Sequence, residues 1–423
     1  MEIKERSFNN LNATLIKTNK FKTLSFQVVF LGEFSKETAT KRSLLTKLLS
    51  TSTKTYNTKK ALANKLMDMY DASFSISTYP SGETAVTAFS LTIVNEKNLG
   101  VLGLTKEALE FLQEAIFNPN FENGLFQEKY FHEQKRILRE RINNIYNNKN
   151  RYALRQMLKN MAPNEIISVS SMGALEDLEQ ITNQDLVNLY QRMLSEENVS
   201  LYVVGDFEEE NLLQDLSLLG NFNSVSNQYQ TVLTQEVKVE KVREFVEKQN
   251  IQQTKLMMGF RSTINTKSKL YPAALVFNAM YGGIFASDLI RVVREENSLA
   301  YTIVSQFMND VMVLIVSAGI DRDKYQLTTD LVIKELEFYK QGKIDSVLMA
   351  IAKESIINEL IQIEDNPYLL SGFALRNYLH GLKYSVNDLI EIVKAVSETE
   401  IQEVAQGINL DTIFLLTGED HDG

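Results

Sequence analysis

The chain has 423 residues, 44% hydrophobic and 23% charged, with only five prolines, a globular composition long enough for more than one hydrophobic core. Forty-four basic residues against fifty-four acidic ones leave a net charge of -10 with no long basic run, which argues against a nucleic-acid partner. There is no cysteine, so disulfides, thiolate nucleophiles and thiolate metal sites are excluded.

The N-terminus, Met1-Glu-Ile-Lys-Glu-Arg6, lacks the apolar core of a secretory signal. No window reaches the roughly 18 apolar residues of a membrane span, so a cytoplasmic protein without a membrane partner is expected. Residues 24–31 (Leu-Ser-Phe-Gln-Val-Val-Phe-Leu) read as a buried strand. Helical periodicity follows over 40–49 and again over 58–70, the second after an N-cap at Thr58. Ser73-Phe-Ser-Ile-Ser77 alternates, Pro80-Ser-Gly82 supplies a turn and 86–94 alternates again, which together predict a hairpin. Helices are predicted over 103–116 and about 123–147, the latter long and heavily charged.

The second half repeats the first. Thr182-Asn-Gln-Asp-Leu-Val runs into Asn198-Val-Ser-Leu-Tyr-Val-Val-Gly205-Asp206, and Ser397-Glu-Thr-Glu-Ile-Gln runs into Leu410-Asp-Thr-Ile-Phe-Leu-Leu-Thr-Gly418-Glu419. In both, a capped helix feeds a strand ending in Gly and a carboxylate, and the two glycines lie 213 positions apart. The expected architecture is therefore α+β, with two homologous domains at 1–222 and 246–423 joined by a linker at 223–245.

The order of elements, together with Ser43-Leu-Leu-Thr-Lys47, the helix around Glu133 and Glu140, Val203-Val-Gly-Asp206 and Gly282-Gly-Ile-Phe-Ala-Ser-Asp-Leu-Ile-Arg-Val-Val-Arg294-Glu-Glu-Asn-Ser-Leu-Ala-Tyr301, resembles the pitrilysin/insulinase family of zinc metallopeptidases. The resemblance covers nearly the whole chain. It implies the fold of the mitochondrial-processing-peptidase-like metallohydrolases, two such domains making half of a clamshell. Where active members carry His-x-x-Glu-His, this chain resembles them only in its surroundings, because the matching positions are Ser43, Thr46 and Lys47.

A catalytic zinc ion needs three His, Asp/Glu or Cys ligands, and the helical solution is a His pair at i and i+4 with Glu as base between them. The histidines are His132, His380 and His421, no two within four positions, so a helical His pair is impossible. No metal and no other cofactor is expected in this chain, zinc only in a partner subunit. Glu133 and Glu140 match the family's accessory and distal glutamates by resemblance; two helical turns apart they share a face, and a solvated, ion-paired face is the competing reading. Gly282-Gly283 reads as a glycine turn rather than an anion cradle.

In relatives built from two unlike subunits, the zinc-less one keeps an Arg/Tyr pair that reaches the shared chamber. By that resemblance Arg294 and Tyr301 are the candidate catalytic residues, acting in trans as donors to a scissile carbonyl, with Arg291 a nearby confounder. Phe74, Ser75 and Ile76 correspond to the edge strand on which active relatives extend a peptide, although Phe74 and Ile76 would equally pack a core. The expected protein is a bacterial, non-catalytic subunit that pairs with a zinc-bearing paralogue, or with itself, around an extended peptide. The alternatives are a structural or peptide-binding scaffold without a part in proteolysis, and an active peptidase using carboxylates such as Glu133 and Glu140 for an unorthodox metal site.

Overall fold

The computed structural model describes every residue except Asn9, Asn221, Ser224 and 420–423, so His421 lies outside the described residues. Strands β1 (Glu2–Phe8), β2 (Leu11–Lys17), β3 (Thr23–Glu33), β4 (Ser73–Ser81) and β5 (Thr84–Val94) are followed by a two-residue pair, β6 (Phe121–Glu122) and β7 (Leu125–Phe126), and then by β8 (Asn198–Gly205). The second half supplies β9 (Arg243–Gln249), β10 (Thr254–Ser262), β11 (Ala300–Met308), β12 (Val313–Ile320) and β13 (Ile408–Gly418). The two main sheets run β1-β2-β8-β3-β5-β4 and β11-β12-β10-β13-β9. Apart from β1, each strand of one sheet answers a strand of the other in the same order. In each, the closing strand joins its sheet partly by a parallel pairing, β8 with β2 and β13 with β9, while the remaining pairings are antiparallel.

The two repeat glycines have the same physical cause. A Cβ on Gly205 would lie 2.7 Å from the Thr23 carbonyl oxygen, and one on Gly418 would lie 2.8 Å from that of Ile251. Each marks the point where the closing strand passes too close to a neighbouring backbone for any side chain.

The chain forms two compact units, each drawn from three segments: Met1–Asn143, Val169–Gln230 and Ile363–Tyr378 make the first, Asn144–Ser168, Thr231–Gln362 and Leu379–Gly423 the second. These follow the sequence halves only in part. The helix Lys149–Met161 places Met157 and Met161 in a core with Met257, Ile315 and Phe414 of the second unit. In return Leu370 packs with Ile16 and Val204 of the first unit. A strand also occupies what the sequence suggested was linker, since β9 begins at Arg243; its charged run alternates with one face exposed, as an edge strand does.

In the first unit, the helices Lys36–Leu49, Leu104–Phe117 and Asn183–Glu196 lay Leu44, Leu48, Phe111, Leu112, Leu186 and Tyr190 against Phe26, Val28 and Phe30 of β3. Predicted caps are present: Thr58 accepts from the Ala61 amide, and Thr182 and Ser397 each form a reciprocal capping box. The long charged helix starts later than predicted, at Glu128, because β6 and β7 turn the chain first. Gly282 does not serve a loop turn with positive φ. It lies in the π-helical turn Ala279–Gly283, where a Cβ would meet the Ser305 backbone nitrogen at 2.9 Å, so it serves the close approach of that turn to β11. No helix among the described residues is long and apolar enough to cross a membrane.

The second unit is organised around a buried ion cluster. The β10–β13 register shifts between Gly259 and Phe260, which pair with Thr412 and Leu410, so Asp411 is the extra residue of a bulge. Its carboxylate, 3% exposed, accepts from Arg261 Nε at 3.0 Å and from Arg243. Arg261 also grips Glu165 through both carboxylate oxygens at 2.7 and 2.8 Å. Arg243 donates to the Asn160 and Met161 carbonyls at 3.2 and 2.7 Å, where the helix Lys149–Met161 leaves its last acceptors open.

Burial alone would raise the Asp411 pKa, but hydrogen bonds from Arg243, Arg261 and Thr412 outweigh it and hold the carboxyl below its ordinary value. A depressed folded pKa contributes stability above the unfolded value of about 3.9 and loses it as pH falls through the folded value. Asp411→Ala is therefore expected to cost about 3 kcal/mol in urea denaturation at neutral pH, the low end for a broken buried pair, because Arg243 loses its carboxylate while Arg261 keeps Glu165. That loss is expected to shrink below the ordinary carboxylate range; a variant as stable as the parent at pH 7 would contradict this account.

Candidate functional site

Ser43, Thr46 and Lys47, the positions that the resemblance matches to the metal motif, lie in the helix Lys36–Leu49, which starts at a capping box on Ser35 and Thr38. Ser43 and Thr46 point into the core, 7% and 3% exposed. The Thr46 hydroxyl is used up within the helix, donating to the Ser43 carbonyl at 3.1 Å. Lys47 is half-buried, and desolvation followed by the nearby Arg141 cation pushes its pKa down. A divalent ion would meet two neutral hydroxyls and two cationic side chains here. This donor set does not fit zinc.

The two glutamates expected to complete such a site are engaged elsewhere on the helix Glu128–Asn147. Glu133 accepts from Lys59 Nζ at 2.8 Å, and Glu140 pairs with Arg136 at 2.6 Å one turn away. Neither makes a hydrogen bond or ion pair with Ser43, Thr46 or Lys47 among the described residues. His132 is exposed and lies 3.1 Å from Glu128. No group of three His, Cys, Asp or Glu side chains that could hold a metal comes together among the described residues. The charged-face reading of this helix is the one its contacts support.

Arg294 and Tyr301 are placed quite differently. The π-helical segment Ile290–Glu296 ends in a tight stop: Leu299 N bonds the Val293 carbonyl at 2.9 Å, Asn297 Nδ2 the Val292 carbonyl at 2.8 Å, and Ser298 adopts φ 52°. Arg294, in its last turn, is exposed, with its guanidinium 6.0 Å from the ring centroid of the exposed Phe285 and no carboxylate partner among the described residues. Arg291 is the opposite case. It is locked between Asp288 and Glu296, each at 2.7 Å, and those bonds raise its pKa further. The confounder is thus a structural arginine, while the fork of Arg294 is uncommitted.

Tyr301 follows on β11, an edge strand. The β11–β12 register shifts between Ala300 and Thr302, which leaves Tyr301 as an unpaired bulge residue. Its side chain is 61% exposed, and its hydroxyl donates to Asp321 at 3.4 Å. At that length the bond is weak, so the phenolic proton is free to turn to a stronger acceptor. Bulges commonly re-aim a side chain in this way, and nothing in the local sequence announced one.

The other candidate surface is β4, the far edge of the first sheet. Phe74 is half-buried, packing edge-on against Phe111 at 5.1 Å, and Ile76 is 5% exposed in the core, whereas Ser75 faces solvent. Phe74 and Ile76 are therefore packing side chains, and what this strand can offer a ligand is backbone and Ser75. The four sheet edges differ in kind. β1 and β9 carry Glu, Lys and Arg along their lengths, β11 is bulged, and β4 has no charged residue and a continuous register with β5. It is the edge least protected against an added strand.

A lysine whose folded pKa is depressed penalises the fold while it is charged, that is below the folded pKa, and the penalty disappears above the unfolded value of about 10.4. Lys47→Met is expected to raise Tm by about 2–4 °C at pH 7, the equivalent of about 1 kcal/mol, with the gain vanishing above about pH 10.5. Calorimetry across that range checks it, and a variant less stable at pH 7 would mean that the ammonium has a stabilising role.

Residues 180–356 match the family model for the peptidase M16 inactive domain. The chain is 29% identical over 411 residues to the probable inactive metalloprotease YmfF of Bacillus subtilis strain 168, covering 96% of each. Among solved structures it superposes on a conserved protein from Enterococcus faecalis V583 with TM-score 0.92 and 30% identity, covering 98% of both chains. A peptidase M16 inactive domain from Pseudomonas fluorescens superposes with TM-score 0.78 over 99% of both chains at 14% identity, a likeness of fold. With the repeated sheet order, the Arg294 to Tyr301 segment and the replaced metal ligands already in hand, these matches establish that the chain belongs to the pitrilysin/insulinase-type, or M16, metallopeptidase family.

Proposed function

We propose that this protein is a non-catalytic M16 subunit that pairs with a zinc-bearing paralogue, holds extended peptide and lends Arg294 and Tyr301 to the partner's reaction. The observation that carries the reading is the contrast between the two candidate sites. The metal positions are filled by packed hydroxyls and a cation, whereas the Arg/Tyr positions present an unpaired guanidinium and a phenol turned outward by a bulge. A guanidinium fork and a phenolic hydroxyl can stabilise charge developing on a carbonyl oxygen without any metal of their own. Peptide would be held by strand addition to β4, through main-chain hydrogen bonds, with Ser75 as the exposed side chain. The relative from Bacillus subtilis carries a name of the same sense, a probable inactive metalloprotease.

The competing scaffold reading keeps the fold and discards the chemistry. It predicts no change in any paralogue's activity on mixing. The active-peptidase reading needs Glu133 and Glu140 as ligands, and their pairing with Lys59 and Arg136 weighs against it.

The test is peptide hydrolysis by a zinc-bearing paralogue from the same genome, with and without this chain. Activity is expected to depend on the mixture, and Arg294→Ala or Tyr301→Phe is expected to lower kcat about 100-fold, the scale of one lost oxyanion donor, without preventing association. Arg291→Gln should leave kcat unchanged apart from a stability cost. Full activity of the Arg294→Ala mixture would remove the donor role, and an unaltered rate on mixing would favour the scaffold.

A further inference from the structure

The helix Tyr325–Lys340 and the segment Ile290–Glu296 line a cavity of about 480 Å³ in the second unit, remote in sequence from the β4 edge and within the usual range of small-molecule sites, roughly 300–1,000 Å³. Four carboxylates line it, those of Asp288, Glu296, Glu335 and Asp345. Three of them are satisfied. Asp288 accepts from Arg291 at 2.7 Å and from the Tyr339 hydroxyl at 2.6 Å, and Glu296 accepts from Arg291 at 2.7 Å. Asp345 accepts from the Val347 and Leu348 amides at 2.8 and 3.1 Å, at the start of the next helix. Glu335 is the exception: it is 6% exposed, and no hydrogen bond or ion pair engages its carboxylate among the described residues. A largely buried carboxylate with no hydrogen-bonded partner is expensive to keep charged, and it gains from a cation seated against it. Burial, followed by the neighbouring Asp288, raises its pKa, and the nearby Arg291 and Lys334 cations oppose that rise without cancelling it.

The cationic lining shows what partner would suit it. Arg291 is consumed by Asp288 and Glu296, while Lys334 and Lys343 make no carboxylate ion pair among the described residues and instead flank the Phe338 ring, at 5.6 and 4.5 Å from its centroid. The uncommitted charged groups of the lining are thus one carboxylate, Glu335, and two ammonium groups, Lys334 and Lys343. We propose that this cavity binds a small ligand through a primary ammonium group seated on Glu335. A carboxylate at the ligand's other end would meet Lys334 and Lys343, so the source of the ammonium is either a simple amine or an amino-acid-like zwitterion. The proposal is independent of the role given to Arg294 and Tyr301.

Isothermal titration of the full chain at neutral pH with n-butylammonium chloride, and separately with 6-aminohexanoate, tests it. Saturable binding of at least one probe is expected, weakened at least tenfold in Glu335→Gln. The zwitterion should bind more tightly than the amine and should lose that advantage in Lys334→Gln/Lys343→Gln. Glu335→Gln should match or exceed the parent in Tm, since it removes an unpartnered buried charge, and a lowered Tm would overturn the proposal by showing a structural partner. Leu331→Trp, which narrows the cavity without touching the carboxylate, should also weaken binding. Absence of saturation with both probes, equal binding by Glu335→Gln, or an equal response to sodium chloride at the same ionic strength would overturn the site.

Discussion

Arg261 and Asp411 meet in the interior of the second unit, where a charge without a partner would be intolerable. The bulge in β13 turns the Asp411 carboxylate toward Arg261 and Arg243, and the two guanidiniums spend their remaining donors on Glu165 and on the carbonyl end of the helix Lys149–Met161. One carboxylate therefore fixes a sheet irregularity, a loop and a helix terminus together. Such clusters add little net stability compared with apolar packing of equal volume, but they make alternatives costly. The helix can settle only where its last carbonyls find these arginines, and the Met157 and Met161 side chains come to rest over Gly259, where a Cβ would lie 2.6 Å from the Met157 sulfur.

The same electrostatic economy separates the two candidate sites. In the first unit, charges that could serve a metal are neutralised locally, Glu133 by Lys59 and Glu140 by Arg136, and Lys47 adds a half-buried cation. In the second, Arg291 absorbs the nearby carboxylates and so leaves Arg294 uncommitted three residues on. A guanidinium that is already forked onto two carboxylates has nothing left for a further ligand, whereas Arg294 in the same short segment still has its donors to give.

Much of the fold was legible because its signals are local. The alternation in β4 and β5, the caps at Thr58, Thr182 and Ser397, and the duplicated Gly with its carboxylate each depend on neighbours in the chain, and the repeat placed them in equivalent sheets. Strands β1 and β9 were missed for a physical reason. β1 and β9 are edges whose exposed faces are charged, so their composition resembles that of loops, and β9 fell within the expected linker. The absence of a helical His pair could be read directly, and the resemblance alone assigns Ser43, Thr46 and Lys47 to the metal-motif positions. The Tyr301 bulge, the diversion of Arg291 and the isolation of Glu335 could not, since each is set by side chains or strand register brought from elsewhere. Gly282 was misread because its need is for contact with Ser305 rather than for an unusual φ.

The exchange of segments between the two halves of the chain bears on how the protein is made. The first unit takes in Ile363–Tyr378, and Leu370 closes over Ile16 and Val204. On a ribosome, that piece emerges only after nearly nine-tenths of the polypeptide has been synthesised, so the N-terminal sheet must wait, with part of its apolar surface uncovered, for a helix encoded far downstream. Folding of this kind is governed by long-range closure, and it exposes the nascent chain to holdase chaperones and to aggregation for most of translation. A nick in the segment between the halves would consequently leave two fragments that each lack a native element, and they would be expected to recover structure only by reassociating.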